Sequence, residues 1–215
     1  MFLESINKTY HNHNEDIQAL NNINLYIQEK GMIFIVGQSG CGKTSLLHII
    51  SGKDNDFTGH IERDGKIEVV EQDILLMESM KVIDNLLIVN NNRQLIDEWL
   101  EKFHMKEFVH QKVKKLSVGQ KKRIQIIRSL LVESDYLICD EPTASLDYEN
   151  AEIIMEILQT ISQDKSVIIV THEVALIEKY ADRIITMKKG KVVNDKVVNE
   201  KEQLIINKIS DISKS

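Results

Sequence analysis

The amino-acid sequence predicts an α/β fold: a parallel sheet at the core, an antiparallel β subdomain at the N-terminus and an inserted helical lobe. Three observations carry this. Met32–Val36, Tyr136–Cys139 and Val167–Val170 are short, wholly apolar runs, as expected of parallel strands buried on both faces. Helical periodicity occupies residues 45–50 and 150–161, each next to such a run. A longer helical stretch, about residues 74–131, interrupts the alternation, which places a helical block within an α/β core.

Taken in order, Phe2 to Tyr10 and Asn24 to Gln28 read as short strands flanking a polar loop, His11 to Asp16. His11 and His13 lie in that loop, but nothing nearby completes a ligand set, so an exposed loop is expected rather than a metal site. Ser45 to Ile50 carries apolar residues at Leu46, Leu47, Ile49 and Ile50, a helix expected to end near Gly52. Gly59 to Val70 reads as a short antiparallel strand pair turning at Asp64-Gly65. In the lobe, Val82, Ile83, Leu86 and Leu87 make one apolar stripe, and Leu95, Ile96, Trp99, Leu100 and Phe103 another. Ile124 to Leu131 begins a further helix. Ile184–Met187 and Lys191–Val193, joined through Lys188 to Gly190, predict a terminal hairpin. The expected domain covers residues 1–193, and residues 194–215 are expected to be a polar tail or linker.

Composition narrows the function. The chain has 215 residues and a net charge of −6. That charge weighs against a nucleic-acid partner, because neutralising phosphates needs a basic surface. Cys41 and Cys139 are the two cysteines. They make no disulfide framework, and a reducing cytosolic setting fits. The start, Met1-Phe2-Leu3-Glu4, has no basic region followed by a long apolar core, so no signal peptide is expected. No apolar run approaches the roughly 20 residues that cross a bilayer. Any membrane role therefore requires docking to something that spans it.

The chemistry begins at Gly37-Gln38-Ser39-Gly40-Cys41-Gly42-Lys43-Thr44, a phosphate-loop pattern between a predicted strand and a predicted helix. Successive backbone N–H groups form an anion cradle there, and the helix N-terminus adds partial positive charge. Glycines let the main chain curl closely around phosphate oxygens. Lys43 is positioned by the motif to reach β- and γ-phosphates, and the Thr44 hydroxyl to ligate Mg²⁺. Downstream, the apolar strand Tyr136-Leu137-Ile138-Cys139 ends in Asp140-Glu141. Asp140 fits the carboxylate that completes a Mg²⁺ shell. Glu141 projects differently and can serve as the base that a water-attacking enzyme needs.

Leu116-Ser117-Val118-Gly119-Gln120, Asp140-Glu141-Pro142-Thr143, Ser145-Leu146-Asp147 and Thr171-His172 then appear in order. With the phosphate loop they make residues 1–193 resemble the nucleotide-binding subunit of an ABC transporter, closest to the lipoprotein-releasing, macrolide-export and peptide-resistance type. The resemblance implies an ATPase using ATP and Mg²⁺, located on the cytoplasmic face of a membrane. Its implied partners are a second copy or homologue and an integral membrane permease.

The resemblance also implies residue roles. Gly37, Gln38, Ser39, Gly40, Cys41, Gly42, Lys43, Thr44 and Ser45 bind the nucleotide, with Tyr10 stacking on adenine. Thr44, Gln72 and Asp140 meet Mg²⁺. Glu141 and His172 are catalytic. Ser117, Val118, Gly119 and Gln120 form the signature that contacts ATP on the other subunit, and Asp147 communicates across the dimer. Three departures stand out: Val118 where glycine is common, Glu71 where an apolar or aromatic residue is usual, and a short Asp64–Gln72 stretch. Two alternatives remain open at this point: a soluble ABC ATPase acting on ribosomes or DNA, and a non-hydrolysing ATP-binding regulator.

Overall fold

The computed structural model of the protein describes residues 1–11, 15–144 and 146–198. His13, Ser145 and residues 199–215 of the expected tail lie outside the described residues. The chain opens with β1 (Phe2–His11), β2 (Asp16–Tyr26), β3 (Gly31–Val36), α1 (Lys43–Ser51), β4 (Thr58–Glu62) and β5 (Ile67–Val70). The lobe follows as α2 (Val82–Leu87), α3 (Arg93–Lys102) and α4 (Val118–Leu130), with two short 3₁₀ turns before α4. Then come β6 (Tyr136–Asp140), α5 (Tyr148–Ser162), β7 (Ser166–Val170), α6 (Val174–Tyr180), β8 (Arg183–Lys188) and β9 (Lys191–Val197).

Two sheets result. The larger has the order β5-β6-β7-β3-β8-β9, with parallel pairing except at β9, which closes the edge antiparallel to β8. The smaller is antiparallel, in the order β2-β1-β4. Successive side chains of β3 point to opposite faces, so its apolar run feeds two cores. Met32 and Phe34 pack with the lobe and α5. Ile33 and Ile35 pack with α1 and the small sheet. Each fully buried side chain of this size contributes about 1.5–3 kcal/mol.

Four expectations change. First, β2 starts at Asp16, not Asn24. Register shifts in its pairing with β1 and the left-handed Asn22 (φ 52°) break the strand's alternation. Second, β4 and β5 do not pair with each other: β4 joins β1 in the small sheet, and β5 joins β6 in the large one. The Asp64-Gly65 turn carries the chain between sheets. It is held because Lys66 N–H donates to Asp135 Oδ2 at 2.7 Å, while Asp64 accepts from the Tyr136 hydroxyl at 2.7 Å and from the Met1 amine at 3.0 Å. Third, α4 begins at Val118, six residues before Ile124. Fourth, the terminal hairpin runs on to Val197, so the first residues expected in the tail belong to β9.

The Asp64 anchor has a pH signature. The hydrogen bond from Tyr136 and the adjoining Met1 ammonium hold its carboxyl below the usual 3.8. A carboxyl lowered by folding stabilises the native state above its unfolded pKa, and that stability is lost as pH falls through the folded value. Asp64→Asn should therefore lower the melting temperature at pH 6 and converge with the parent as the pH falls below 3.8 and on through the lowered folded value. Thermal melts across that range check this; a constant gap at every pH would refute it.

Candidate active site

The phosphate loop leaves β3 at Val36 and enters α1 at Lys43. Two of its glycines are fixed by contact as well as by backbone angle. A Cβ on Gly37 would lie 2.3 Å from the Met187 carbonyl oxygen, and one on Gly42 would lie 2.4 Å from that of Ala19. Gly42 is also the N-cap of α1 at φ 106°, and no side chain caps the helix. The first-turn N–H groups thus lack a side-chain acceptor, which suits an anion. The loop is braced from outside. Gly190 N–H, in the β8–β9 turn, donates to the Cys41 carbonyl at 2.9 Å, and Asn21 N–H of β2 donates to the Gly190 carbonyl at 2.8 Å.

Lys43 Nζ donates to the Gly37 carbonyl at 2.8 Å and to that of Gln38 at 3.1 Å. A cavity of about 700 Å³ opens over the loop. Tyr10, Gly37, Ser39, Gly40, Gly42, Lys43, Thr44, Ser45, Gln72, Asp140, Glu141 and His172 all line it. The structure therefore gathers these residues from five separate segments of the chain. Gln38 and Cys41 are not among the lining residues. Cys41 is buried in the core beneath the loop, and its N–H donates to the Gln38 carbonyl at 3.2 Å.

Asp140 ends β6, half-buried. Burial and then the neighbouring Glu141 charge push its carboxyl above the usual carboxylate range, with His48, Lys43 and Lys122 opposing. A desolvated carboxylate sharing a cavity with the Thr44 hydroxyl and the Gln72 amide fits a hard divalent cation. Mg²⁺ is commonly held by one or two carboxylates plus substrate phosphates and waters. The described residues include no group of three or more His, Cys, Asp and Glu able to hold a metal by themselves.

Glu141 has a left-handed backbone, φ 45°. For a non-glycine residue this costs roughly 1–3 kcal/mol. Its N–H donates to the Val170 carbonyl at 2.9 Å, and its Oε1 lies 3.3 Å from His172 Nδ1. Just beyond, the Thr143 hydroxyl donates to Glu173 Oε1 at 2.6 Å, tying the loop after β6 to the start of α6. Tyr10 lines the same cavity. Its hydroxyl is 3.2 Å from Ser45 Oγ, and Lys8 Nζ, held by Asp54 and Asp56, lies 4.8 Å from its ring centre.

Ser117, Val118, Gly119 and Gln120 do not line this cavity. They form the start of α4. Gln120 N–H donates to Ser117 Oγ at 3.2 Å, and Ser117 N–H donates to Gln120 Oε1 at 2.9 Å, a reciprocal capping box. Val118 is 53% exposed. Asp147 likewise lies outside the cavity, capping α5 by accepting from Asn150 N–H at 2.9 Å. Asn150 also accepts from Arg123 of α4, so the signature helix and the Asp147 turn are joined.

Some features were not read from the sequence. Ile17, Gln18 and Ala19 of β2 line the cavity; alternation around Ile17 was the available signal, obscured by the bulges. The side chain of Glu71 pairs with Lys53, just after α1, which accounts for a charge at that position. Lys122 is 3% exposed, and burial pulls its ammonium below the usual lysine range. It donates to the carbonyls of Glu71 at 2.9 Å and Gln72 at 2.7 Å.

Comparison with known proteins agrees with this geometry. A family model described as ABC transporter matches residues 20–144. The lipoprotein-releasing system ATP-binding protein LolD of Buchnera aphidicola is 30% identical, covering 91% of this chain and 98% of its own length. The phosphonates import ATP-binding protein PhnC of Fusobacterium nucleatum is 31% identical, covering 82% and 85%. A solved ATP-binding cassette, dimeric in a post-hydrolysis state with ADP and Pi, superposes with a TM-score of 0.79 at 29% identity, covering 92% and 98%. The chain belongs to the ABC transporter ATP-binding family, whose cassettes bind and hydrolyse ATP. No helix among the described residues is long and apolar enough to cross a membrane.

Proposed function

We propose that this chain is the ATP-hydrolysing subunit of an ABC transporter, closing as a dimer around two ATP molecules to drive a membrane permease from its cytoplasmic face. One observation carries the reading. The phosphate loop, Gln72, Asp140, Glu141 and His172 converge on one cavity, while the signature lies outside it on α4. A second subunit supplying Ser117 and Gly119 would complete the γ-phosphate contacts.

Within each half-site Lys43 and the loop N–H groups hold the phosphates, and Tyr10 offers its ring to the adenine. Thr44, Gln72 and Asp140 would hold Mg²⁺, which when bound neutralises charge on the phosphate oxygens. Glu141 accepts a proton from the attacking water as its oxygen bonds to the γ-phosphorus and the bond to ADP breaks. His172, hydrogen-bonded to Glu141, orients that carboxylate and contacts the γ-phosphate. ATP closes the dimer, and hydrolysis with product release reopens it. Ligand state thus biases a conformational equilibrium that the helical lobe transmits.

The lipoprotein-releasing relative supports an exporter or a peptide- or lipoprotein-handling system. The phosphonate-importing relative supports the reverse direction, and pull-down of the permease decides between them.

The shared-site mechanism has a direct test. Ser117→Arg puts bulk and charge into the interface while leaving the phosphate loop intact, so ATP affinity should persist and activity should fall. Mixing it with Lys43→Ala should restore partial activity, because one site of the mixed dimer carries neither lesion. Activity independent of protein concentration, together with a fully active Ser117→Arg protein, would show that each chain works alone.

A further inference from the structure

The signature helix α4 is tied to the segment that carries Gln72 by two buried side chains. Lys122 donates to the Glu71 carbonyl at 2.9 Å and to the Gln72 carbonyl at 2.7 Å. Gln125, three residues further along the same helix face, donates through Nε2 to the Glu71 carbonyl at 3.2 Å and to the Asp73 carbonyl at 2.8 Å. Three successive carbonyls, of residues 71, 72 and 73, are therefore held by one helix. This backbone lies beyond β5 and belongs to no strand or helix. Lys122 and Gln125 are 3% and 2% exposed. An ammonium taken out of water needs hydrogen-bond acceptors, and here two carbonyls of one segment accept two of its three N–H groups.

The same helix begins at Ser117, whose side chain caps it. Lys122 lies five residues on, about 7.5 Å along the axis at the α-helical rise. Nothing flexible separates them, so a displacement of Ser117 carries Lys122 with it. Gln72 meanwhile contributes to the lining of the cavity that holds Asp140 and Glu141.

We propose that Lys122, assisted by Gln125, is a positioning residue that fixes Gln72 to the signature helix, so that seating Ser117 on the second subunit's nucleotide sets Gln72 in its own site. The proposal rests on the transporter reading above and deepens it. Lys122 is not among the residues that line the cavity. It acts through the backbone of Gln72.

The experiment uses the full chain and two readouts. Lys122→Met removes the donors and keeps an unbranched chain of similar length; Lys122→Arg keeps a cationic donor. In nucleotide-free protein, hydrogen exchange of amides 71–76 should rise about tenfold in Lys122→Met, as for a locally opened unit, with β6 and β7 unchanged. kcat should fall about tenfold, within the range for coupled members of one hydrogen-bond network, while KM for ATP stays put. In a Gln72→Ala background the same substitution should have no further effect on kcat, and Lys122→Arg should recover most of both readouts. An equal loss of kcat in both backgrounds would overturn the proposal. So would unchanged exchange at 71–76, or exchange raised throughout the lobe. Should Lys122→Met fail to fold, Gln125→Leu is judged by the same criteria. A fully active Gln72→Ala protein would instead overturn the role given to Gln72, and the exchange data would decide the tie alone.

Discussion

Glu141→Gln is expected to keep ATP binding and to lower hydrolysis by roughly 10²–10⁴-fold, the usual contribution of a general base. The geometry separates the two effects. The substitution preserves size and leaves every phosphate-loop contact in place, including those of Lys43 to Gly37 and Gln38. It removes a carboxylate able to accept a proton, 3.3 Å from His172. The backbone at this position, φ 45°, is unchanged by the swap. Closure would then no longer lead to reopening, and an ATP-bound dimer should accumulate. Sizing chromatography with and without ATP detects it, and phosphate release measures the rate. A variant hydrolysing ATP like the parent would take the base assignment away from Glu141.

Lys43→Ala should weaken ATP binding and abolish turnover. A charge-assisted hydrogen bond contributes about 1.5–3 kcal/mol net, equivalent to roughly 10–150-fold in Kd. The variant also loses the two bonds by which the ammonium draws the Gly37 and Gln38 carbonyls together, so the loop's curvature should relax. Titration with a fluorescent ATP analogue, beside phosphate release, checks both parts. Near-normal activity would remove the phosphate-loop assignment.

What the sequence revealed, and what it hid, follows from the range of the interactions. The phosphate loop and the strands at Met32, Tyr136 and Val167 were legible because each is a local pattern with local physics. The partner of β4 was not. Asp64-Gly65 looks like a hairpin turn, yet its conformation is set by Met1, Asp135 and Tyr136, distant in sequence. The start of α4 carried a readable signal, the Ser117–Gln120 capping box, but apolar periodicity alone begins later. That matters for function, since it places the signature on a helix N-terminus rather than in a loop. Lys122 was not singled out in the sequence, and the fold shows it buried against the Gln72 segment.

The brace between the β8–β9 turn and the phosphate loop links two ends of the chain thermodynamically. Gly190 and Cys41 share a hydrogen bond, and Met187 walls in Gly37. A ligand that binds only the ordered loop stabilises whatever orders it, by about 2.7 kcal/mol at a hundredfold excess over Kd. Nucleotide seated on the first fifty residues should therefore shield the hairpin near residue 190 from proteases, and fraying of that hairpin should speed nucleotide escape.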